Sequence, residues 1–139
     1  FGGSSFGGIA TLCLAMRYPG LVGSALVESP SLWIGEERFL RGEVLAHSGP
    51  WPARVFLAMG DSEYRGDGNA AFSRTLVDYV TLVARAMEAQ GLVRGQRLST
   101  AIGRGAMHNE EAWAKRLPAA LTFLCSHWRQ PLQAGGDEL

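Results

Sequence analysis

The 139-residue sequence is short of several things that would each single out a function. Its two cysteines, Cys13 and Cys125, are too few for a disulfide scaffold and show no metal-ligand spacing. Thirteen basic residues balance thirteen acidic ones, so no net field favours a nucleic acid or an anionic membrane. No apolar run approaches the roughly 20 residues that a membrane-spanning helix needs. Internal repeats and low-complexity linkers are missing, and the opening Phe1-Gly2-Gly3-Ser4-Ser5-Phe6-Gly7-Gly8 has neither Met nor a charged signal-peptide region. These absences exclude a zinc domain, a DNA-binding arm and a membrane span.

What is present describes one globular domain. Apolar residues make up 47% and charged residues 19%, and the length suits a single core. Eighteen glycines signal many tight turns. A chain rarely starts inside a glycine-rich turn, so the expectation is a piece of a longer protein or a processed chain.

Hydrophobic periodicity divides the chain into alternating strands and helices. Residues 8–17 are apolar nearly all round, as in a helix packed on a sheet, and Pro19-Gly20 stops them. Residues 23–28 read as a short buried strand with a loop at Ser29-Pro30, and residues 36–46 as an amphipathic helix. After Pro50 and Pro52, residues 53–59 form the clearest strand. The longest helical pattern covers 70–90, with Phe72, Leu76, Val80, Val83 and Met87 on one face and Gly91 at its end. Residues 96–102 read as a third strand, and a helix over 109–128 opens with an Asn109 cap and contains Pro118. Residues 129–139 read as a flexible tail, which leaves 1–128 as the domain. Such alternation predicts a parallel sheet with helices on both faces, and three strands alone leave that sheet incomplete.

The chemistry begins at Gly3-Ser4-Ser5-Phe6-Gly7, which fits Gly-x-Ser-x-Gly ahead of an apolar helix. A strand-to-helix turn this tight strains the central residue, and small residues two positions either side avoid clashes. It would lift the Ser5 hydroxyl above the sheet and let the Phe6 backbone N–H meet an oxyanion at the helix N-terminus. A serine nucleophile needs a base, and the base needs a carboxylate to orient it. Glu63 follows the 53–59 strand and His108 follows the 96–102 strand, giving the chain order serine, acid, histidine. Both fall where the carboxyl ends of parallel strands would place them.

The chain resembles the C-terminal half of the putative esterase family of α/β-hydrolases, which includes esterase D-like and enterochelin-esterase-like enzymes. The resemblance rests on Gly-Ser-Ser-Phe-Gly-Gly at 3–8, Glu-Ser-Pro-Ser-Leu-Trp at 28–33, Gly-Asp-Ser-Glu at 60–63 and His-Asn-Glu-Glu-Ala-Trp at 108–113. It extends to about Trp128, and two of these segments look most like the siderophore-esterase branch. The resemblance implies Ser5 as nucleophile, His108 as base and then acid, and Glu63 as the orienting acid; Asp61 is the competing acid and Asp67 a distant third. It implies acyl-enzyme chemistry on a small-molecule ester, or acyl transfer with the same residues, and no metal or organic cofactor. The family's enzymes are about twice as long. Their preceding half would supply the strand entering the elbow, further strands of the sheet and a second oxyanion donor, so the N-terminal sheet edge is expected to be open to association. A non-catalytic half-domain that needs a partner chain is the competing expectation.

Other residues carry smaller expectations. Trp33 either lines a substrate pocket or packs its loop on the sheet. Trp113 is expected to anchor the last helix and orient the His108 loop. His47 and His127 show no partner pattern, Arg65 reads as a solvated surface residue, and Cys13 and Cys125 as reduced, buried thiols on opposite sheet faces.

Overall fold

A computed structural model of the chain describes residues 1–64 and 69–126. The expectations for Arg65, Asp67, His127, Trp128 and the 129–139 tail lie outside the described residues. Four parallel strands, β1 (Gly2–Ser4), β2 (Ser24–Glu28), β3 (Arg54–Gly60) and β4 (Leu98–Gly103), form one sheet in the order β1-β2-β3-β4. Three helices join or follow them: α1 (Phe6–Arg17), α2 (Asn69–Ala89) and α3 (Glu110–Leu124).

The strand order explains where the helices lie. Each crossover steps the chain one place along the sheet in the same direction, and right-handed crossovers then put α1 and α2 on one face. Leu12 and Ala15 of α1 and Leu76, Val80, Val83 and Met87 of α2 pack there against Val27, Val55, Leu57 and Met59. Helix α3 lies on the other face, where its Ala120 and Leu124 meet Phe56 and Ala58. β3 sits between two strands and under helices on both faces, so every residue from Val55 to Gly60 is buried and its sequence is a continuous apolar run. The edge strand β4 is half-buried over most of its length. Cys13 and Cys125 are free, half-buried thiols at helices on opposite faces.

Three expectations change. A fourth strand is present: Gly2–Ser4 pairs in register with Leu26, Val27 and Glu28, so the last residues of the strand entering the elbow belong to this chain. Its glycines hid it, since they carry no strand propensity. The helix read over 36–46 shrinks to a π-helical turn at Leu40–Val44. Gly35, Glu36 and Glu37 all have positive φ (63°, 57° and 62°), which no right-handed helix accommodates. That turn is held by Glu37, which accepts from Tyr79 of α2 and from Arg41 Nε at 2.5 Å. Finally, α1 starts two residues early, at Phe6, and only Gly8, Thr11, Leu12 and Ala15 are fully buried.

Gly91 ends α2 with φ 92°, and Leu92 N–H closes back on the Met87 carbonyl at 3.1 Å. Asn109 caps α3 by accepting from Ala112 N–H at 3.0 Å, and the helix continues through Pro118.

Candidate active site

All four strands point their carboxyl ends to the same edge of the sheet, and the loops leaving that edge carry the expected site residues. Ser5 leaves β1 at φ 56° and ψ −120° and caps α1. This left-handed backbone is strained for serine and persists because neighbours hold it on both sides. Ser5 N–H donates to Glu28 carbonyl (3.0 Å), and the Ser5 carbonyl accepts from Gly8, Ile9 and Ser31 N–H. A Cβ on Gly3 would stand 2.6 Å from the Gly7 carbonyl carbon, which accounts for glycine there. Gly7 differs from the expectation: a Cβ at that position meets nothing within 4 Å.

The loops after β3 and β4 are stitched into one unit. Asp61 N–H donates to Gly103 carbonyl (3.0 Å), Ser62 N–H to Ala106 carbonyl (3.2 Å) and His108 N–H to Glu63 carbonyl (3.0 Å). The close approach requires Gly60, because a Cβ there would run into the Ala106 carbonyl and stand 2.7 Å from Glu63 Oε1.

Within this frame Ser5, His108 and Glu63 form one hydrogen-bonded row. His108 Nε2 lies 2.8 Å from Ser5 Oγ, and His108 Nδ1 lies 2.5 Å from Glu63 Oε2. A carboxylate beside Nδ1 favours the tautomer with its proton there, leaving Nε2 to accept from the Ser5 hydroxyl. Tyr64 stacks on the His108 ring (5.4 Å between centroids, 17°), and Trp113 meets it edge-on (5.2 Å, 86°). The imidazole thus touches two aromatic rings, one of them from the first turn of α3. Burial raises the Tyr64 phenol, and the nearby Glu63 charge adds to the rise.

Glu63 is 3% exposed. Burial alone would raise its pKa, yet hydrogen bonds from His108, Ser29 and the Gly60 N–H outweigh that and hold it below the usual carboxylate value. Its Oε1 accepts from Gly60 N–H (2.5 Å) and Ser29 Oγ (2.7 Å), which leaves Oε2 for His108. Asp61 is engaged elsewhere: its Oδ1 accepts from Gly105 N–H (2.6 Å) and Ser62 Oγ (3.0 Å) at the surface. The structure therefore brings Glu63, and not Asp61, to His108.

Phe6 is the first residue of α1, where a backbone N–H has no partner inside the helix, and its ring is exposed. Trp33 is 39% exposed and edge-on to Phe72 at 5.7 Å, and Phe72 in turn contacts Tyr64 at 5.5 Å. It packs against Phe72 and keeps part of its surface exposed. His47 packs edge-on against Trp51 away from this edge, and its Nε2 is buried without a partner. Among the described residues no group of three His, Cys, Asp or Glu side chains could hold a metal ion.

Sequence reasoning missed a second layer behind the row. Ser31 Oγ lies 3.1 Å from Ser5 Oγ. Ser29 links Glu63 to a buried ion pair, in which Arg116 gives Glu28 Oε1 two hydrogen bonds (2.6 and 3.0 Å) and Ser29 Oγ one (3.3 Å). Burial raises the Glu28 carboxyl, and Arg116 offsets only part of that rise. Ser29 and Ser31 lie inside the Glu-Ser-Pro-Ser-Leu-Trp segment, so a signal was there; Arg116, 88 positions from Glu28, offered none.

Comparison with known proteins agrees with this architecture. One relative is the uncharacterized protein YbbA of Bacillus subtilis (strain 168), 26% identical over 130 residues, or 94% of this chain and 50% of YbbA. Among solved structures, the siderophore hydrolase EstB from Aspergillus nidulans superposes with a TM-score of 0.58 at 20% identity, over 94% of this chain and 49% of EstB. The siderophore hydrolase EstA from the same organism gives 0.57 at 22% identity, over 86% of this chain and 43% of EstA. The two structural likenesses are to the fold, a parallel α/β sheet flanked by helices, and the chain spans about half the length of the proteins it matches. The family model described as "Putative esterase" matches residues 2–124, nearly all of the described chain, and the chain belongs to that family.

Proposed function

We propose that the chain carries a serine hydrolase site for carboxylic esters, with Ser5 as nucleophile. The observation that supports this most is the unbroken row of hydrogen bonds from Glu63 Oε2 through His108 to Ser5 Oγ, at 2.5 and 2.8 Å. Ser5 Oγ attacks the ester carbonyl carbon while His108 Nε2 takes its proton. The tetrahedral oxyanion faces the Phe6 N–H at the start of α1. The C–O bond to the alcohol then breaks, His108 returns the proton to the leaving oxygen, and an acyl-Ser5 ester remains. Water attacks that ester while His108 takes its proton, the acyl C–Oγ bond breaks, His108 returns the proton to Ser5 Oγ and the acid leaves; another acceptor in place of water would make the reaction acyl transfer. Glu63 keeps the imidazole oriented and balances its charge while it holds the proton. The names of the two structural neighbours support ester-linked siderophores as a substrate class, beside smaller acyl esters.

The test is intact-mass analysis after treatment with a fluorophosphonate probe. A single adduct on the native chain and none on Ser5→Ala is expected. A folded native chain that takes no adduct, in a protein of the relatives' full length as well, would rule the reading out.

A second reading concerns the sheet edge. Two apolar grooves run beside β1: one of about 420 Å³ lined in part by Phe1, Leu26, Leu121 and Leu124, and one of about 360 Å³ by Gly3, Trp113 and Leu117. They support a β1 edge that takes further strands, in cis or from another chain.

A further inference from the structure

Resting on the hydrolase reading above, we propose that Ser29 is a positioning residue for Glu63, and that the Glu28–Arg116 pair sets the direction of its hydroxyl proton. Ser29 has one hydroxyl proton and two carboxylates within reach, Glu63 Oε1 at 2.7 Å and Glu28 Oε1 at 3.4 Å. Arg116 decides between them. It fills Glu28 Oε1 with two N–H donors and gives a third to the Ser29 oxygen itself. The Ser29 proton is thereby left to Glu63, and Glu63 presents its other oxygen to His108.

The backbone holds Ser29 for this role. Ser29 has φ 40° at the end of β2, and its N–H donates to Ala58 carbonyl of β3 at 2.8 Å. The residue is 1% exposed and Glu28 4% exposed, so water does not compete for these bonds. Arg116 comes from α3, on the sheet face opposite α1 and α2, and so ties that helix to the acid of the row. Gly103 leaves room for it, since a Cβ there would collide with the guanidinium. The charged groups acting on Glu28 are Arg116 of α3 and Glu63 beyond Ser29, with His108 on the far side of Glu63, and Glu110 of α3 lines the same groove as Glu28.

Two readouts on the same chain test this. One is the Nδ1 proton of His108, which a 2.5 Å bond to a carboxylate carries far downfield in the proton NMR spectrum. The other is the rate of fluorophosphonate labelling. Ser29→Ala should shift or broaden the downfield proton and slow labelling about 10- to 100-fold. In Arg116→Met, labelling should fall further as pH rises, because the unpaired Glu28 ionises and competes for the Ser29 proton. Glu28→Leu/Arg116→Met removes the competitor and should lack that fall. An unmoved proton and a native labelling rate in Ser29→Ala would overturn the role of Ser29. A double variant that loses labelling with pH as the single variant does would overturn the role of the pair. A native chain that shows the downfield proton but takes no probe would sink the hydrolase reading alone, and Ser29 would then be judged by the proton.

Discussion

A carboxylate persists in the interior beside His108 because three donors converge on it, from Gly60, Ser29 and the imidazole. Removing its charge while keeping its shape separates its role from that of the surface acid nearby. Glu63→Gln should slow fluorophosphonate labelling by about 10,000-fold, the loss seen when an orienting acid is made neutral. Asp61→Asn should stay within a few-fold of native, since Asp61 serves the Gly103–Gly105 turn and Ser62 rather than His108. The same carboxylate shapes stability against pH. Its folded pKa lies below its unfolded value of about 4.3, so its contribution is present above that value and is lost as pH falls through the folded one. Urea denaturation between about pH 3 and 7 should therefore show a shallower acid loss in Glu63→Gln than in the native chain. Glu28 runs oppositely, because a raised folded pKa costs stability as pH rises through the window above about 4.3. It is present in both proteins, and because the Glu63 charge adds to its rise, the difference between them reports Glu63 together with that coupling.

The turn from β1 into α1 shows how a motif divides into parts with different reasons. Gly3 has no room for a side chain against the Gly7 backbone, whereas a Cβ on Gly7 projects into open space. Gly3→Ala should destabilise the chain by about 1–3 kcal/mol, as overpacking against backbone does. Gly7→Ala should be neutral or add up to about 1 kcal/mol, since alanine is the better helix former. Thermal or urea denaturation of the two variants decides, and equal losses would contradict the asymmetry. The strained Ser5 between them is held by its bonds to Glu28 and Ser31, so the neighbouring strand and loop contribute to the elbow as much as its own glycines do.

On the scale of the molecule, the described sheet has β1 at one edge and β4 at the other. The β1 side carries Leu117 and Leu121 of α3 with 41% and 48% of their surface exposed, beside the grooves under Phe1 and Leu26. Apolar surface along an unpaired strand favours association. Sedimentation of the isolated chain should show concentration-dependent self-association, and Leu117→Glu/Leu121→Glu should weaken it. A chain that stays monomeric across the micromolar to millimolar range would refute the β1 edge as an interaction surface.

The sequence by itself determined the helix-and-strand alternation, the buried strand β3, the cap and stop signals at Asn109 and Gly91, and the chain order of Ser5, Glu63 and His108. Each is local: periodicity, capping and turn chemistry act over a few neighbouring residues. Local signals failed where the environment overrode propensity, at the glycine strand β1, which pairs because β2 lies beside it, and at the left-handed run 35–37, which Tyr79 and Arg41 hold through Glu37. Only the tertiary structure decided that Glu63 and not Asp61 reaches His108, since their separation of two positions says nothing of which one turns inward. It alone also brought Arg116 to Glu28 and Ser29. A hydrogen bond is decided by where two groups stand in space, and pairing across 88 positions is set by helix α3 docking on the sheet, which no local pattern encodes.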